Sequence, residues 1–189
     1  GVPSNDGTNP DGTVLKKIIS TKYFNQPTLK LAKELLGKFL IRKIGNKTTE
    51  GMITEVEAYV GPKDKASHAS RGKTSKNEIM FGKAGYWYVY MIYGMYYCLN
   101  IVTEKEGYPA AILIRSAGDV VGPGRVCRYL QIDNSSRLII NKRPADKKTG
   151  LWVEDRGIKI KPSQIKRSKR IGVDYAEEWR DKLWRFCLN

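Results

Sequence analysis

The sequence predicts a single domain of mixed α and β structure, and three observations support this fold class. The chain has 189 residues, of which 41% are hydrophobic, enough for one ordinary globular core. Several short segments alternate apolar and polar residues as strands do, and one has the spacing of an amphipathic helix. No apolar run approaches the roughly 20 residues of a membrane-spanning helix, and the N-terminus lacks a secretory signal. We therefore expect one soluble, intracellular α+β domain without membrane contact.

The N-terminal residues are expected to lie outside this domain. The stretch from Gly1 to about Thr13 lacks aromatic residues and is rich in Gly, Pro, Asn and Asp. Such a composition buries too little apolar surface to order the chain. We therefore predict a flexible tail over residues 1–16 and a folded domain over residues 17–189.

A helix and two paired strands are predicted next. Apolar residues recur at helical spacing over residues 28–36, with Thr28 near the N-cap and Gly37 just beyond the end. Residues 39–44 and 52–60 alternate as strands do, and a Gly-Asn turn lies between them. These two strands are predicted to pair.

The remaining elements are short. Residues 61–83 form a polar, Gly-containing loop of a length that usually serves a function. The pattern beyond it predicts a strand, a helix whose amide end can bind phosphate, a hairpin that turns at Asp155-Arg156-Gly157, and a final short helix. These four elements are placed at residues 110–115, 122–130, 151–161 and 175–179.

The most distinctive stretch is a predicted hairpin over residues 86–100, since six of the chain's 11 tyrosines lie within positions 86–97. A period of two places Tyr86, Tyr88 and Tyr90 on one face of the first strand. Tyr93-Gly94-Met95 then forms the tip. A large aromatic residue before Gly at a tip suits a wedge between stacked bases. A tyrosine-rich face buried in the core, with a tip that merely folds back, explains the same pattern.

The charge balance indicates a polyanionic partner. The chain has 34 Lys and Arg against 19 Asp and Glu, a formal net charge of +15. Nucleic acid is favoured over a membrane surface because the basic residues are spread through aromatic segments and do not form one face of an amphipathic helix. A generally basic, solvated surface is the alternative.

Two glutamates on one strand are the first candidates for chemistry. The period of two places Glu55, Glu57 and Tyr59 on one face. A carboxylate on a strand that leads into a long loop is well placed to activate water. A solvent-facing edge strand with ordinary surface charges is the alternative.

Metal chemistry finds no support in the sequence. His68 is the only histidine, and the three cysteines are widely spaced, so no zinc-ligand spacing exists. The cysteines are expected to be reduced core thiols. A single histidine in a loop is more often structural or exposed than catalytic, and no catalytic-triad or P-loop signature is present. We expect neither a metal nor another cofactor.

A series of motifs follows in order from Tyr23 onward, and together they are specific enough to indicate a family. They are EVEAYVGP at 55–62, ASH at 66–68, MF at 80–81, YVYMIYGMY at 88–96, CLN at 98–100, LIR at 113–115, GPGR at 122–125, RIGV at 170–173 and WRF at 184–186. This set resembles the alkyladenine (3-methyladenine) DNA glycosylase family. The resemblance implies a single domain with a curved, antiparallel, partly closed sheet, short helices wrapped around it, and a protruding hairpin that intercalates into DNA.

The resemblance also implies catalytic and wedge roles. Glu57 resembles the general base that activates water, and Arg115 resembles its partner near that water. Tyr93 resembles the residue that fills the gap left in the duplex, and Met95 lies beside it.

A second group of residues is implied to bind the extruded base. Tyr59, His68 and Tyr90 resemble the aromatic walls that stack on the base. Main-chain groups near Ala66 and His68 resemble those that hydrogen-bond its edge. Asn100 resembles the residue that collides with the 2-amino group of guanine.

The implied activity is excision of alkylated or deaminated purines from double-stranded DNA, with water as the nucleophile, no cofactor and a monomeric protein. The expected location is the cytoplasm or nucleoid of a prokaryote, or the nucleus of a eukaryote. The sequence departs from the family pattern at Val56, Ser75-Lys76, Tyr129 and Gln131, which leaves lesion preference open. A non-catalytic binder that stacks single-stranded bases on its tyrosines, and an inactive relative retained for damage recognition, are the alternatives.

Overall fold

The computed structural model describes residues 8–189 and places ten strands of this range in one antiparallel sheet that is not closed into a barrel. Together with the helices this confirms the predicted α+β class. The strands are β1 (Lys17–Ile18), β2 (Phe39–Ile44), β3 (Lys47–Val60), β4 (Trp87–Ile92), β5 (Tyr96–Val102), β6 (Ala110–Ala117), β7 (Val120–Val121), β8 (Leu151–Asp155), β9 (Ile165–Ser168) and β10 (Arg185–Leu188).

The helices are short. The α-helices are α1 (Thr28–Leu35), α2 (Pro123–Tyr129) and α3 (Asn134–Ile140). Five 3₁₀ segments among the described residues are Thr21–Phe24, His68–Arg71, Glu78–Phe81, Pro162–Gln164 and Asp174–Asp181. Gly37, with φ of +88°, follows α1 at the predicted position.

Strand β3 is the centre of the sheet. The main strand order is β1-β8-β2-β3-β6-β5-β4, and β10 also pairs with β3. The first half of β3 pairs with β2, and its second half lies between β6 and β10. The glutamates of β3 are therefore on an interior strand.

The two faces of β3 have different surroundings. Val56 and Ala58 belong to the main hydrophobic cluster, with Leu31 and Leu35 of α1 and with Trp87 of β4. Side chains that alternate with Val56 and Ala58 project to the opposite face. The functional candidates Glu55, Glu57 and Tyr59 are therefore separated from α1 by the sheet.

The predicted hairpin over residues 151–161 is wrong. Only Leu151–Asp155 forms a strand, and this strand pairs with β1 on one side and β2 on the other. Both edges of β8 are thus occupied, which leaves no edge for a returning strand. Arg156 instead turns its side chain back to Glu50 and Glu154.

The predicted tail lies partly outside the described residues, which begin at Thr8. Residues 8–16 contain an isolated bridge between Thr8 and Val14 around a turn, and β1 follows. No helix in the described part of the chain is long and apolar enough to cross a membrane.

Candidate active site

A cavity of about 410 Å³ lies on the side of β3 away from α1. Most of the residues predicted for the site line it: Glu57, Tyr59, Ala66, His68, Tyr90, Tyr93, Asn100 and Arg115. The volume suits a small ring system, because ligand pockets of drug-sized molecules range from about 300 to 1,000 Å³.

Glu57 lies at the floor of the cavity and is fully buried. The Tyr59 hydroxyl donates to Glu57 Oε1 at 2.9 Å, and the Ile171 N–H donates to Oε2 at 2.7 Å. Burial raises the pKa of Glu57 above its ordinary value, although Arg115 and these hydrogen bonds act to lower it. The interpretation of β3 as a solvent-facing edge strand is therefore wrong.

Arg115 reaches this floor because two bulges interrupt the pairing of β3 with β6. The register shifts once between Ile53 and Glu55 and again between Glu55 and Val56, which leaves Thr54 and Arg115 as extra residues on their strands. Bulges re-aim side chains in this way. Arg115 Nη1 lies 3.6 Å from Glu57 Oε1, and its Nε donates to Glu55 Oε2 at 3.3 Å.

Aromatic rings form the walls of the cavity. The rings of His68 and Tyr90 meet edge to face, with centroids 4.3 Å apart. Nδ1 of His68 is 3.2 Å from the hydroxyl of Tyr88. Burial lowers the pKa of His68, so its ring is neutral at pH 7.

The loop that carries Ala66 is held by a buried ion pair. Arg170 donates to both carboxylate oxygens of Asp64, at 2.7 and 3.0 Å. The Asp64 carboxylate also accepts the backbone N–H groups of Val60 and Ala66. The carbonyl of Ala66 accepts from Tyr175. The N–H of Ala66 is thus engaged within the protein, which leaves a lone pair of its carbonyl as the group that can meet a base edge.

The hairpin tip projects away from the core. Tyr93 is 85% exposed and Met95 is 65% exposed. Tyr93 and Gly94 both have positive φ, at 52° and 67°, and the N–H of Met95 donates to the carbonyl of Ile92. This is the backbone of a two-residue hairpin turn, in which Asn or Gly is preferred at the first position. The tip is therefore not core, whereas Tyr88 farther down the strand is buried.

Two of the predicted site residues, Met95 and Asn100, need separate description because one lies outside the main cavity and the other also contacts the hairpin backbone. Met95 does not line the main cavity but a smaller one of about 230 Å³ between the hairpin tip and α2. Asn100 is buried at the cavity wall, and its Nδ2 donates weakly to the carbonyls of Tyr88 and Cys98 at 3.3 and 3.4 Å. Asn100 thus touches both the cavity and the backbone of the hairpin.

Sequence reasoning missed several residues that build the site. Asp64, Tyr88, Arg170, Ile171 and Tyr175 were given no role in the site, although they hold the floor and walls in place. Arg170 entered only as the first residue of the RIGV motif, and it also ends a basic run, Lys166-Arg167-Ser168-Lys169-Arg170, in which the other charged residues are exposed. Among residues 8–189, no cluster of three or more His, Cys, Asp or Glu side chains could hold a metal ion.

These features define a class of site. A cavity large enough for a small ring system has a buried carboxylate at its floor and aromatic side chains as its walls, and an exposed aromatic turn lies beside it. Comparison with known sequences gives the family. The chain matches the methylpurine-DNA glycosylase (MPG) family over residues 22–121 and 118–189. It therefore belongs to the methylpurine-DNA glycosylase family.

Individual relatives agree with this assignment. A protein of Methanocella arvoryzae is 41% identical over 190 residues, covering 89% of this chain and 91% of the relative. One from Legionella pneumophila (strain Lens) is 43% identical over 175 residues, with 88% and 91% covered. One from Clostridium perfringens is 38% identical over 194 residues, with 88% and 93% covered. Each of these relatives is named "Putative 3-methyladenine DNA glycosylase".

Proposed function

We propose that the protein is a DNA glycosylase that extrudes damaged purines from duplex DNA and hydrolyses the bond between base and sugar. The observation that carries this proposal is Glu57, a fully buried carboxylate with a raised pKa at the floor of an aromatic cavity. Perturbed carboxylates in clefts are typical of catalytic acids and bases. Family membership supplies the class of substrate.

Extrusion is the first step of the proposed reaction. A base cannot be attacked inside the stack, and rotating it out costs a few kcal/mol, less at a damaged pair. Tyr93 projects from a tight turn and is the side chain available to fill the vacated space. Tyr59, His68 and Tyr90 then stack on the base, and such stacking contributes roughly 1–3 kcal/mol per base.

Hydrolysis is the second step. Glu57 accepts a proton from water, the water oxygen forms a bond to the sugar C1′, and the purine leaves with the electrons of the broken bond. Each carboxylate oxygen has a further lone pair besides the one used by Tyr59 or Ile171. The negative charge of Glu57 also stabilises positive charge on the sugar, as carboxylates do in sugar hydrolases. We propose no metal or cofactor and a monomeric enzyme.

The proposed substrates are purines of the 3-methyladenine, 7-methylguanine, hypoxanthine and ethenoadenine class. Alkylation at N3 or N7 makes a purine cationic, and electron-rich rings attract cations. The low pKa of His68 favours the same substrates, since a neutral ring does not repel a cationic base. A panel of duplexes that each carry one such lesion, treated with protein and then with alkali, tests the proposal. Strand breaks at the lesion support it, and an intact panel contradicts it.

The alternative of a non-catalytic binder is tested by the same panel. A stacking platform has no use for a buried carboxylate, which repels phosphate and is costly to desolvate. Tight lesion binding with no excision on any of the duplexes would favour that alternative.

Tyr93→Asn should separate the wedge from the fold. Asn adopts the positive φ of position 93 more readily than Tyr, so the melting temperature should stay the same or rise. Loss of the stacking ring should lower excision from duplex DNA roughly tenfold or more, given 1–3 kcal/mol per stacked base. Single-turnover excision and thermal unfolding measure the two effects.

A lesion in a single strand is the control for Tyr93→Asn, because extrusion from a single strand leaves no gap in a duplex stack for Tyr93 to fill, and the loss there should be smaller. A stability loss of about 3–5 kcal/mol, typical of aromatic core truncations, would show that Tyr93 belongs to the core.

Asn100→Ser should increase removal of guanine-type bases relative to adenine-type ones. Asn100 lies at the cavity wall, and shortening it removes the overlap that a 2-amino group would meet. Excision of hypoxanthine and of guanine from matched mispaired duplexes gives the ratio. If Asn100 only ties the hairpin backbone through Tyr88 and Cys98, both rates fall together and the ratio stays the same.

A further inference from the structure

We propose that Glu55 is a positioning residue that holds the Arg115 guanidinium away from Glu57, so that the carboxylate oxygens of Glu57 keep lone pairs for a water. This inference rests on the proposed role of Glu57 as general base. It assigns a function to the second glutamate of β3, whose side chain is almost fully buried.

Both carboxylate oxygens of Glu55 accept hydrogen bonds from neighbouring strands. Its Oε1 accepts from the Ser116 hydroxyl at 2.6 Å, and its Oε2 accepts from Arg115 Nε at 3.3 Å and from Arg185 Nη1 at 2.9 Å. Serine and the two arginines come from β6 and β10, on opposite sides of β3. Glu55 therefore fixes the Arg115 side chain from a position on the same face as Glu57.

Arg115 contacts the two carboxylates unequally. Its Nε is hydrogen-bonded to Glu55, whereas its Nη1 stays 3.6 Å from Glu57 Oε1, longer than a hydrogen bond. A two-pronged guanidinium pair with Glu57 would stabilise its charged form and occupy the lone pairs that a water needs. The hydrogen bond from Arg115 Nε to Glu55 prevents this two-pronged pairing with Glu57.

The pKa values of the two carboxylates are shifted in opposite directions. Burial acts to raise the pKa of Glu55, but hydrogen bonds from Ser116 and Arg185 and the charges of both arginines outweigh it, so the pKa is lowered. Burial dominates at Glu57 and raises its pKa. Neighbouring carboxylates with separated pKa values are typical of sites in which each has its own task.

Glu57 is faced by titratable and charged groups from every element around it. These are Glu55 and Tyr59 on β3, Tyr90 on β4, Cys98 on β5, Arg115 on β6, Arg185 on β10, and Arg170 and Tyr175 in the segment before β10. Burial raises the pKa of Cys98 to about 11, and the pKa values of Tyr59 and Tyr90 are raised as well. The arginines are the cations that can shift the titration of Glu57.

Glu55→Gln tests the proposal with little disturbance of the fold. The amide oxygen can still accept from Arg185, and the amide N–H donates to the Ser116 hydroxyl, which can accept as well as donate. Without the negative charge, Arg115 is free to close on Glu57. We expect the Glu57 pKa to fall and single-turnover excision to drop, by up to the ~10²-fold that a misplacement of about 1 Å can cost.

Arg185→Gln is the matched control, and it should shift the Glu57 pKa in the opposite direction. It leaves the charge of Glu55 in place, removes its second cation and so strengthens the hold on Arg115. The Glu57 pKa should then rise. The charges of Glu55 and Arg185 also act on Glu57 directly, so the part that runs through Arg115 is isolated by Glu55→Gln in an Arg115→Gln background, where the fall in the Glu57 pKa should be smaller than in the otherwise unmodified protein.

The readout is the titration of Glu57 itself, followed by NMR of protein labelled with ¹³C at glutamate side-chain carboxyls, with Glu57→Gln to assign the signal. A lower Glu57 pKa in Glu55→Gln and a higher one in Arg185→Gln support the proposal. An unchanged or raised pKa in Glu55→Gln overturns it. The titration needs no DNA, so it is independent of catalysis. If the Glu57 pKa falls in Glu55→Gln as expected but Glu57→Gln still excises at the full rate, the catalytic role of Glu57 is refuted and the electrostatic coupling stands.

Discussion

Glu57→Gln should lower single-turnover excision by the ~10²–10⁴ that a general base contributes, while binding of a lesion duplex is retained. Gln keeps the shape of Glu and the hydrogen bond from Ile171 but cannot take a proton from water. The fold should tolerate the change, because burial disfavours the charged form of Glu57. The rate is measured with enzyme in excess over a single-lesion duplex, and binding is measured on the same duplex.

Glu50→Gln is the control for this variant. Glu50 lies on the same strand and pairs with Arg156, outside the residues that line the cavity. Its excision rate should stay close to that of the unmodified protein. A Glu57→Gln rate within about threefold of the unmodified protein, far below the general-base contribution, would remove Glu57 from the proposed chemistry.

The pH dependence of excision follows from the same pKa. The folded-state pKa of Glu57 is raised, and only the carboxylate can act as a base. Activity should therefore fall, as pH decreases, at a higher pH than an ordinary glutamate would give. The raised pKa also means that ionised Glu57 destabilises the fold, so the stability that its protonated form contributes is lost as pH rises through that pKa.

Arg170→Met should be the most destabilising single change outside the hydrophobic core. It leaves the fully buried carboxylate of Asp64 without its cation, and breaking such a pair costs about 3–5 kcal/mol. Arg170 also packs against the rings of Tyr59 and Trp184, with its guanidinium 4.9 and 5.0 Å from their centroids. Chemical denaturation measures the loss of unfolding free energy.

Two further variants make the Arg170 result specific. Arg170→Met combined with Asp64→Asn should recover part of the stability, because no unpaired charge then remains buried. Lys30→Met breaks the exposed pair with Glu34 and should cost only about 0.3–0.5 kcal/mol. Equal losses from Arg170→Met and Lys30→Met would contradict the account of the buried pair.

Period-two alternation predicts the hairpin and the face of β3 because both are local properties of a strand. It places Tyr88 and Tyr90 together, and likewise Glu55, Glu57 and Tyr59. The burial of Glu57 could not be obtained in this way, since it depends on β6 and β10, which come from distant parts of the chain. Local pattern thus identifies which side chains share a face but not what covers them.

Two other features lay beyond the sequence for the same reason. The Asp64–Arg170 pair joins residues 106 positions apart, and nothing local distinguishes Arg170 from the exposed lysines beside it. The predicted second strand after Asp155 failed because β1 takes the free edge of β8. A turn signal shows that a chain can reverse, whereas pairing requires an unoccupied edge.

The most direct test of the central claim is the detection of free purine released from a lesion duplex, by mass spectrometry, under single-turnover conditions. The account predicts one free damaged base per duplex with the unmodified protein, an abasic strand that breaks only in alkali, and no comparable release with Glu57→Gln. A lesion duplex that is bound by the unmodified protein and keeps its base would contradict it.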